Sequence, residues 1–174
     1  MSAVPTWKLL LGEVFRAFEK CLFRSRLTQV KSPNYICYRS IVICGLSSET
    51  TRIAVVLDKL IDGFPTFEIW LDSANTMIGV ISIRNRFGAY FFPGETIVIT
   101  QGELLSDSSC LACILARRIA FARLMRRRGF TYPRMLRRHY LSALRYELRV
   151  SEVMNASPEY VGSIKRRCVS WNAM

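Results

Sequence analysis

The chain has 174 residues, 51% of them hydrophobic, which gives one domain with a buried core and excludes general disorder. Its formal net charge of +12 at pH 7 points to polyanionic partners, nucleic acid or an anionic membrane surface. The longest charge-free runs, Ser73–Ile83 and Ser108–Ala116, fall far short of the roughly 20 apolar residues a membrane span needs. Glu13, Arg16 and Glu19 interrupt the apolar run that begins at Trp7, so no signal peptide is predicted. The six cysteines are therefore expected as reduced thiols in a soluble or peripheral protein.

In chain order, Thr6–Phe23 predicts an amphipathic helix, with Trp7, Leu10, Leu11, Val14, Phe15, Phe18 and Leu22 at helical spacing. Tyr35–Leu46, "YICYRSIVICGL", is β-branched and aromatic and predicts a strand. Ser48 is positioned to cap a helix over Glu49–Asp62, with Ile53, Val56, Leu57, Leu60 and Ile61 as its apolar stripe and Gly63 as its stop. Strands are expected at Phe67–Leu71, Met77–Ile83 and Thr96–Thr100. The turn residues of "DSAN" and "NRFGA" between them predict at least one antiparallel hairpin. A helix opens at Ser106 or Asp107 and runs to about Arg128, ended by Gly129; another runs from Pro133 to about Met154. The order predicts an α+β fold, with a small mixed or antiparallel sheet, an N-terminal amphipathic helix and two C-terminal basic helices. As a single domain over 1–174, it divides into a basic amphipathic segment (1–34), a mildly acidic centre (35–105), arginine-rich helices (106–154) and a tail (155–174).

Charge is distributed unevenly along that order. Residues 117–149 carry eleven arginines, no lysine and a single acid, Glu147, whereas residues 40–116 carry four Lys/Arg against eight acids. At about 100° per residue, Arg134, Arg137, Arg138, Arg145 and Arg149 fall within about a third of the last helix's circumference. Leu136, His139, Tyr140, Ala143 and Val150 lie opposite. Arg117, Arg118, Arg123, Arg126, Arg127 and Arg128 spread around the preceding helix, the last three crowding its C-terminal end. A solvated charged face normally mixes signs at i,i+4 spacing. Here almost no local acid is offered, so these eleven arginines are the candidate polyanion-binding residues. The exclusion of lysine favours two-pronged contacts to phosphate or carboxylate. A solvated face, or ion pairing inside the protein, is the alternative.

No motif names a reaction, and no catalytic residue, metal site or cofactor is assigned. "CLAC" at Cys110–Cys113 has metal-ligand and redox spacing, but no second close pair exists, and two buried thiols are expected. His139, the one histidine, falls on an apolar face and is expected in the core. Asp58, Asp62, Asp72 and Asp107 show no paired spacing for acid–base work. In the N-terminal helix Trp7, Lys8, Phe15, Arg16 and Lys20 are the membrane-surface candidates, with burial in the core as the competing reading.

A small basic domain with a compact α+β centre, cationic ends and no catalytic motif resembles the matrix proteins of negative-strand RNA viruses. The short matrix proteins of plant rhabdoviruses, of the cytorhabdovirus type, are the most similar in size, charge layout and element order. The resemblance implies a structural protein of the virion, at the host cytoplasm's peripheral membrane, that binds RNA or nucleocapsid and an anionic membrane surface. It also implies self-association as a homo-oligomer and contact with a viral glycoprotein tail. The chain departs from related proteins in lacking a PPxY motif and a long lysine-rich N-terminus. An RNA-binding accessory protein, such as a silencing suppressor, uses the same arginine face and is the alternative.

Overall fold

The computed structural model describes residues 34–72, 77–81, 96–128 and 133–173. The predicted helix over Thr6–Phe23 lies outside them. Among the described residues the fold is mixed α+β, with six helices and a four-stranded sheet.

Tyr35–Leu46 is two strands rather than one, β1 (Asn34–Tyr38) and β2 (Ile41–Gly45), paired antiparallel across Arg39 and Ser40. Arg39 takes φ 53°, the left-handed conformation a two-residue hairpin turn requires. Its guanidinium pairs with Glu68, and the neighbouring Tyr38 hydroxyl donates to Asp58 Oδ1 at 2.5 Å. The apolar run masked a turn that carries no glycine.

Helix α1 (Ser47–Gly63) buries Ile53, Val56, Leu57, Leu60 and Ile61, as their spacing predicts. Its N-cap is Leu46, not Ser48: Leu46 N–H donates to Glu49 Oε2 at 2.7 Å, so an acid in the first turn satisfies the helix start. Phe67–Leu71 was expected as a strand and is instead helix α2 (Thr66–Asp72). Phe67, Trp70 and Leu71 are buried while Ile69 is 66% exposed, which is the i, i+3, i+4 pattern of a helix and not alternation.

Strand β3 (Met77–Ile81) runs parallel to β2 and to β4 (Thr96–Thr100), giving the order β1-β2-β3-β4. β3 and β4 are therefore not the two arms of an antiparallel hairpin, and "NRFGA" lies outside the described residues; among those described, the antiparallel pair is the one joined at Arg39–Ser40. In β2 and β4 successive residues such as Ile43 and Cys44, or Val98 and Ile99, are all buried, as in strands covered on both faces.

Four helices follow β4: α3 (Gln101–Leu104), α4 (Ser108–Arg128), α5 (Pro133–Val153) and α6 (Pro158–Ala173). Thr100 and Glu103 close a capping box on α3, with Glu103 N–H donating to Thr100 Oγ1 at 3.2 Å and Thr100 N–H to Glu103 Oε2 at 2.9 Å. Asp107 caps α4, accepting from Cys110 N–H at 2.8 Å. Every residue from Cys110 to Phe121 is buried, so α4 is the central helix: α1, α2 and β4 pack on it, α5 packs along its length, and α6 packs on α5. Residues 155–174 were expected as a tail; Pro158–Ala173 is helical, opened by Ser157, whose Oγ accepts from Tyr160 N–H at 3.3 Å, with Pro158 in the first turn.

Candidate nucleic-acid interface

The arginine stretch separates into internal and external groups. Arg118, on the sheet side of α4, is 3% exposed and bridges two elements, donating to Val98 O of β4 and, at 2.5 Å, to Glu103 Oε1 of α3. Burial lowers the Arg118 guanidinium below its ordinary value, opposed by the Glu103 charge. For Glu103, burial alone would raise the carboxyl; Arg118 and the Thr100 N–H and hydroxyl overcome it and hold the acid below the usual range.

Arg117, one residue earlier, points about 100° away, toward α5. There Glu147, with 0% exposure, sits between two guanidiniums. Its Oε2 lies 3.5 Å from Arg117 Nη1, and its Oε1 accepts from Arg167 Nη2 at 3.1 Å and from the Tyr160 hydroxyl at 2.6 Å. The Tyr160 hydroxyl is pushed up by burial and by the Glu147 charge, so it stays a proton donor. The single acid of the stretch is thus the buried counter-ion that joins α4, α5 and α6.

Two more arginines, both half-buried, have partners within the protein. Arg137 donates from Nε to Trp171 O and from Nη2 to Asn172 O, each at 2.6 Å, and so closes the C-terminal end of α6. Arg123 lies with its Cζ 4.3 Å from the centroid of the Trp70 ring. Of the arginines expected to contact an external polyanion, Arg117 and Arg118 are thus buried on internal partners, while Arg123 and Arg137 have internal partners and remain half-buried. Part of the preference for arginine over lysine follows from this. A planar fork reaches two acceptors at once, as Arg118 and Arg137 do, where an ammonium acts as a point charge.

Arg138, Arg145 and Arg149 remain. All three are exposed on α5, and among the described residues no carboxylate pairs with them. At about 100° and 1.5 Å per residue they lie within about 40° of one line and span about 16 Å of the helix. That length matches about five steps of a stacked nucleic-acid strand at about 3.4 Å each. Glu152, also exposed, bounds this face at its C-terminal end. The backbone at Arg126, Arg127, Arg128 and Arg134 is helical, but their side chains lie outside the described residues, as do Trp7, Lys8, Phe15, Arg16 and Lys20 entirely.

The remaining chemical candidates are packed. His139 is buried. Cys110 and Cys113 are buried thiols, each pushed up to about 12, chiefly by desolvation. Among the described residues no group of His, Cys, Asp or Glu is arranged to hold a metal ion, and no helix is long and apolar enough to cross a membrane.

Thr100, Glu103, Tyr160 and Arg167 were missed from sequence. The "TQGE" capping-box spacing marks the first pair, and Glu147 carries its own signal: it falls roughly opposite the arginine line, on the buried side of α5. Tyr160 and Arg167 carry no comparable sign. Comparison with protein-family models, curated proteins and solved structures finds no match for this chain.

Proposed function

We propose that this protein is a non-catalytic, RNA-binding structural protein of matrix type, which holds ribonucleoprotein on the outer face of α5. One observation carries the reading: buried Arg117 and Arg118 and half-buried Arg137 have internal partners, while Arg138, Arg145 and Arg149 are exposed and pair with no carboxylate among the described residues. Three like charges within three turns repel one another unless an external anion compensates them. Phosphate supplies that anion at the right spacing, and contacts of this kind position a strand without reading its sequence.

The test is the salt dependence of RNA binding. Three phosphate contacts to a single strand give a log–log slope of about −2. Replacing Arg138, Arg145 and Arg149 together by Gln flattens it, with little change in thermal stability because all three are exposed. A flat dependence in the unaltered protein removes the electrostatic reading. The matrix-type assignment makes a second demand, flotation with phosphatidylserine vesicles and concentration-dependent assembly. A protein that binds RNA but ignores such vesicles is an RNA-binding accessory protein instead.

A further inference from the structure

Beside the arginine line of α5 stands a partly exposed aromatic ring. Tyr146 is 37% exposed and follows Arg145 directly, one turn before Arg149. Its ring centroid lies 5.0 Å from that of Trp70 at an interplanar angle of 85°. Trp70 is itself buried, braced by Phe67 at 4.9 Å, and carries the Arg123 guanidinium on its ring. An edge-to-face contact covers at most one face of Tyr146, so the ring is anchored from behind and keeps a face toward solvent. Among the described residues no hydrogen bond ties its hydroxyl.

We propose that Tyr146 is a base-stacking platform, and that the α5 face binds single-stranded RNA in preference to duplex. This inference rests on the RNA-binding reading above and adds the strand state of the ligand to it. Arg138, Arg145 and Arg149 hold phosphates in either kind of RNA. Only an unpaired base can turn onto the Tyr146 ring, because bases in an A-form duplex are stacked inside and out of reach of a protein ring. Stacking tolerates every base, so the preference is for strand state and not for sequence. Trp70 holds the ring in place before the ligand arrives, which limits the ordering cost of binding.

The experiment compares a labelled oligouridylate with an RNA duplex of matched phosphate number, by fluorescence anisotropy on the full chain. The variants are Tyr146→Phe, which keeps the ring, and Tyr146→Leu, which keeps apolar contact with Trp70 but offers no aromatic face; thermal melting checks that both fold. The expected result is that Tyr146→Leu weakens single-strand binding about tenfold, within the usual contribution of one stacked base. Tyr146→Phe binds as the unaltered protein does, duplex binding is unchanged, and the salt slope is the same in all three. As a readout on the unaltered chain, 5-iodouridine in the oligonucleotide photocrosslinks to Tyr146. Loss of affinity for both RNAs alike in Tyr146→Leu, no loss in either, or crosslinking elsewhere overturns the stacking site while leaving the phosphate face standing. Binding to phosphatidylserine vesicles, with none to either RNA, overturns both readings in favour of a lipid surface.

Discussion

Glu147 serves two guanidiniums because a carboxylate has two oxygens to divide, Oε1 toward Arg167 and Tyr160 and Oε2 toward Arg117. A buried ion set of this kind adds little net stability compared with apolar packing, but removing its centre leaves buried Arg117 and half-buried Arg167 without an acid. Glu147→Ala is therefore expected to lower stability by about 3–5 kcal/mol in urea denaturation. The combined variant Arg117→Met, Glu147→Leu, Arg167→Met recovers most of that loss, since it removes all three charges together. If the combined variant is no better than the single one, the ion set contributes something other than mutual compensation. Glu103 gives the pH dependence. Its folded carboxyl is held below the usual range, so its contribution is fully present above the ordinary glutamate value, about 4.3, and is lost as pH falls through the folded value. Glu103→Gln is expected to cost about 2 kcal/mol at neutral pH, with a gap from the unaltered protein that narrows as both are acidified below that value. Denaturation curves across the acid range measure it. At this scale the sequence disclosed composition and concealed direction: eleven arginines and one acid were plain, but which arginines turned inward depended on where α4 lay between its neighbours. Arg117 and Arg118 read identically in sequence, and each serves a different layer.

Among the elements, periodicity was most reliable where one face alone is buried. The stripe of α1 and the separation of arginine from apolar residues on α5 were legible for that reason, and so was the Asp107 start of α4. Central strands buried on both faces lose their alternation, which hid the turn at Arg39–Ser40. In "FEIWL", Phe67–Leu71, five residues fit alternation as well as helical spacing, and the exposed Ile69 shows which prevailed. Helix α6 was overlooked although "SPE" at Ser157–Glu159 offers a cap, a first-turn proline and an early acid. The turn before it carries a testable constraint. Asn155 has φ 51°, with Met154 N–H bonded to Val150 O at 2.8 Å and Ala156 N–H to Ser151 O at 3.0 Å, so α5 ends in a left-handed cap. Asn155→Gly is expected to hold or slightly raise the melting temperature, while Asn155→Val costs about 1–2 kcal/mol because its branched Cβ opposes this conformation. Equal melting of the two variants would show that the turn rearranges freely.

Across the whole molecule, α4 divides two environments: α1, α2 and β4 on one side, and α5 with α6 on the other. The candidate RNA face stands on the second side, on the outer surface of a helix whose inner surface holds Glu147. Its position is thus set by the same element that neutralises the interior. Chain order adds a consequence for synthesis. Glu103 leaves the ribosome before Arg118, so the cation facing the sheet meets an acid already made. Among the described residues Arg117 has no such predecessor and waits for Glu147, thirty residues downstream, and the second guanidinium on that acid waits for Arg167. A nascent chain stopped at Arg128 holds a hydrophobic centre with one arginine neutralised and its neighbour bare. Residues 1–128 are therefore expected not to complete their fold ahead of α5 and α6, as an independent leading unit would. A chain ending at residue 128 should be susceptible to protease, and a chain ending at 128 with Arg117→Met less so; equal resistance of the truncated and full chains would show that residues 1–128 fold alone.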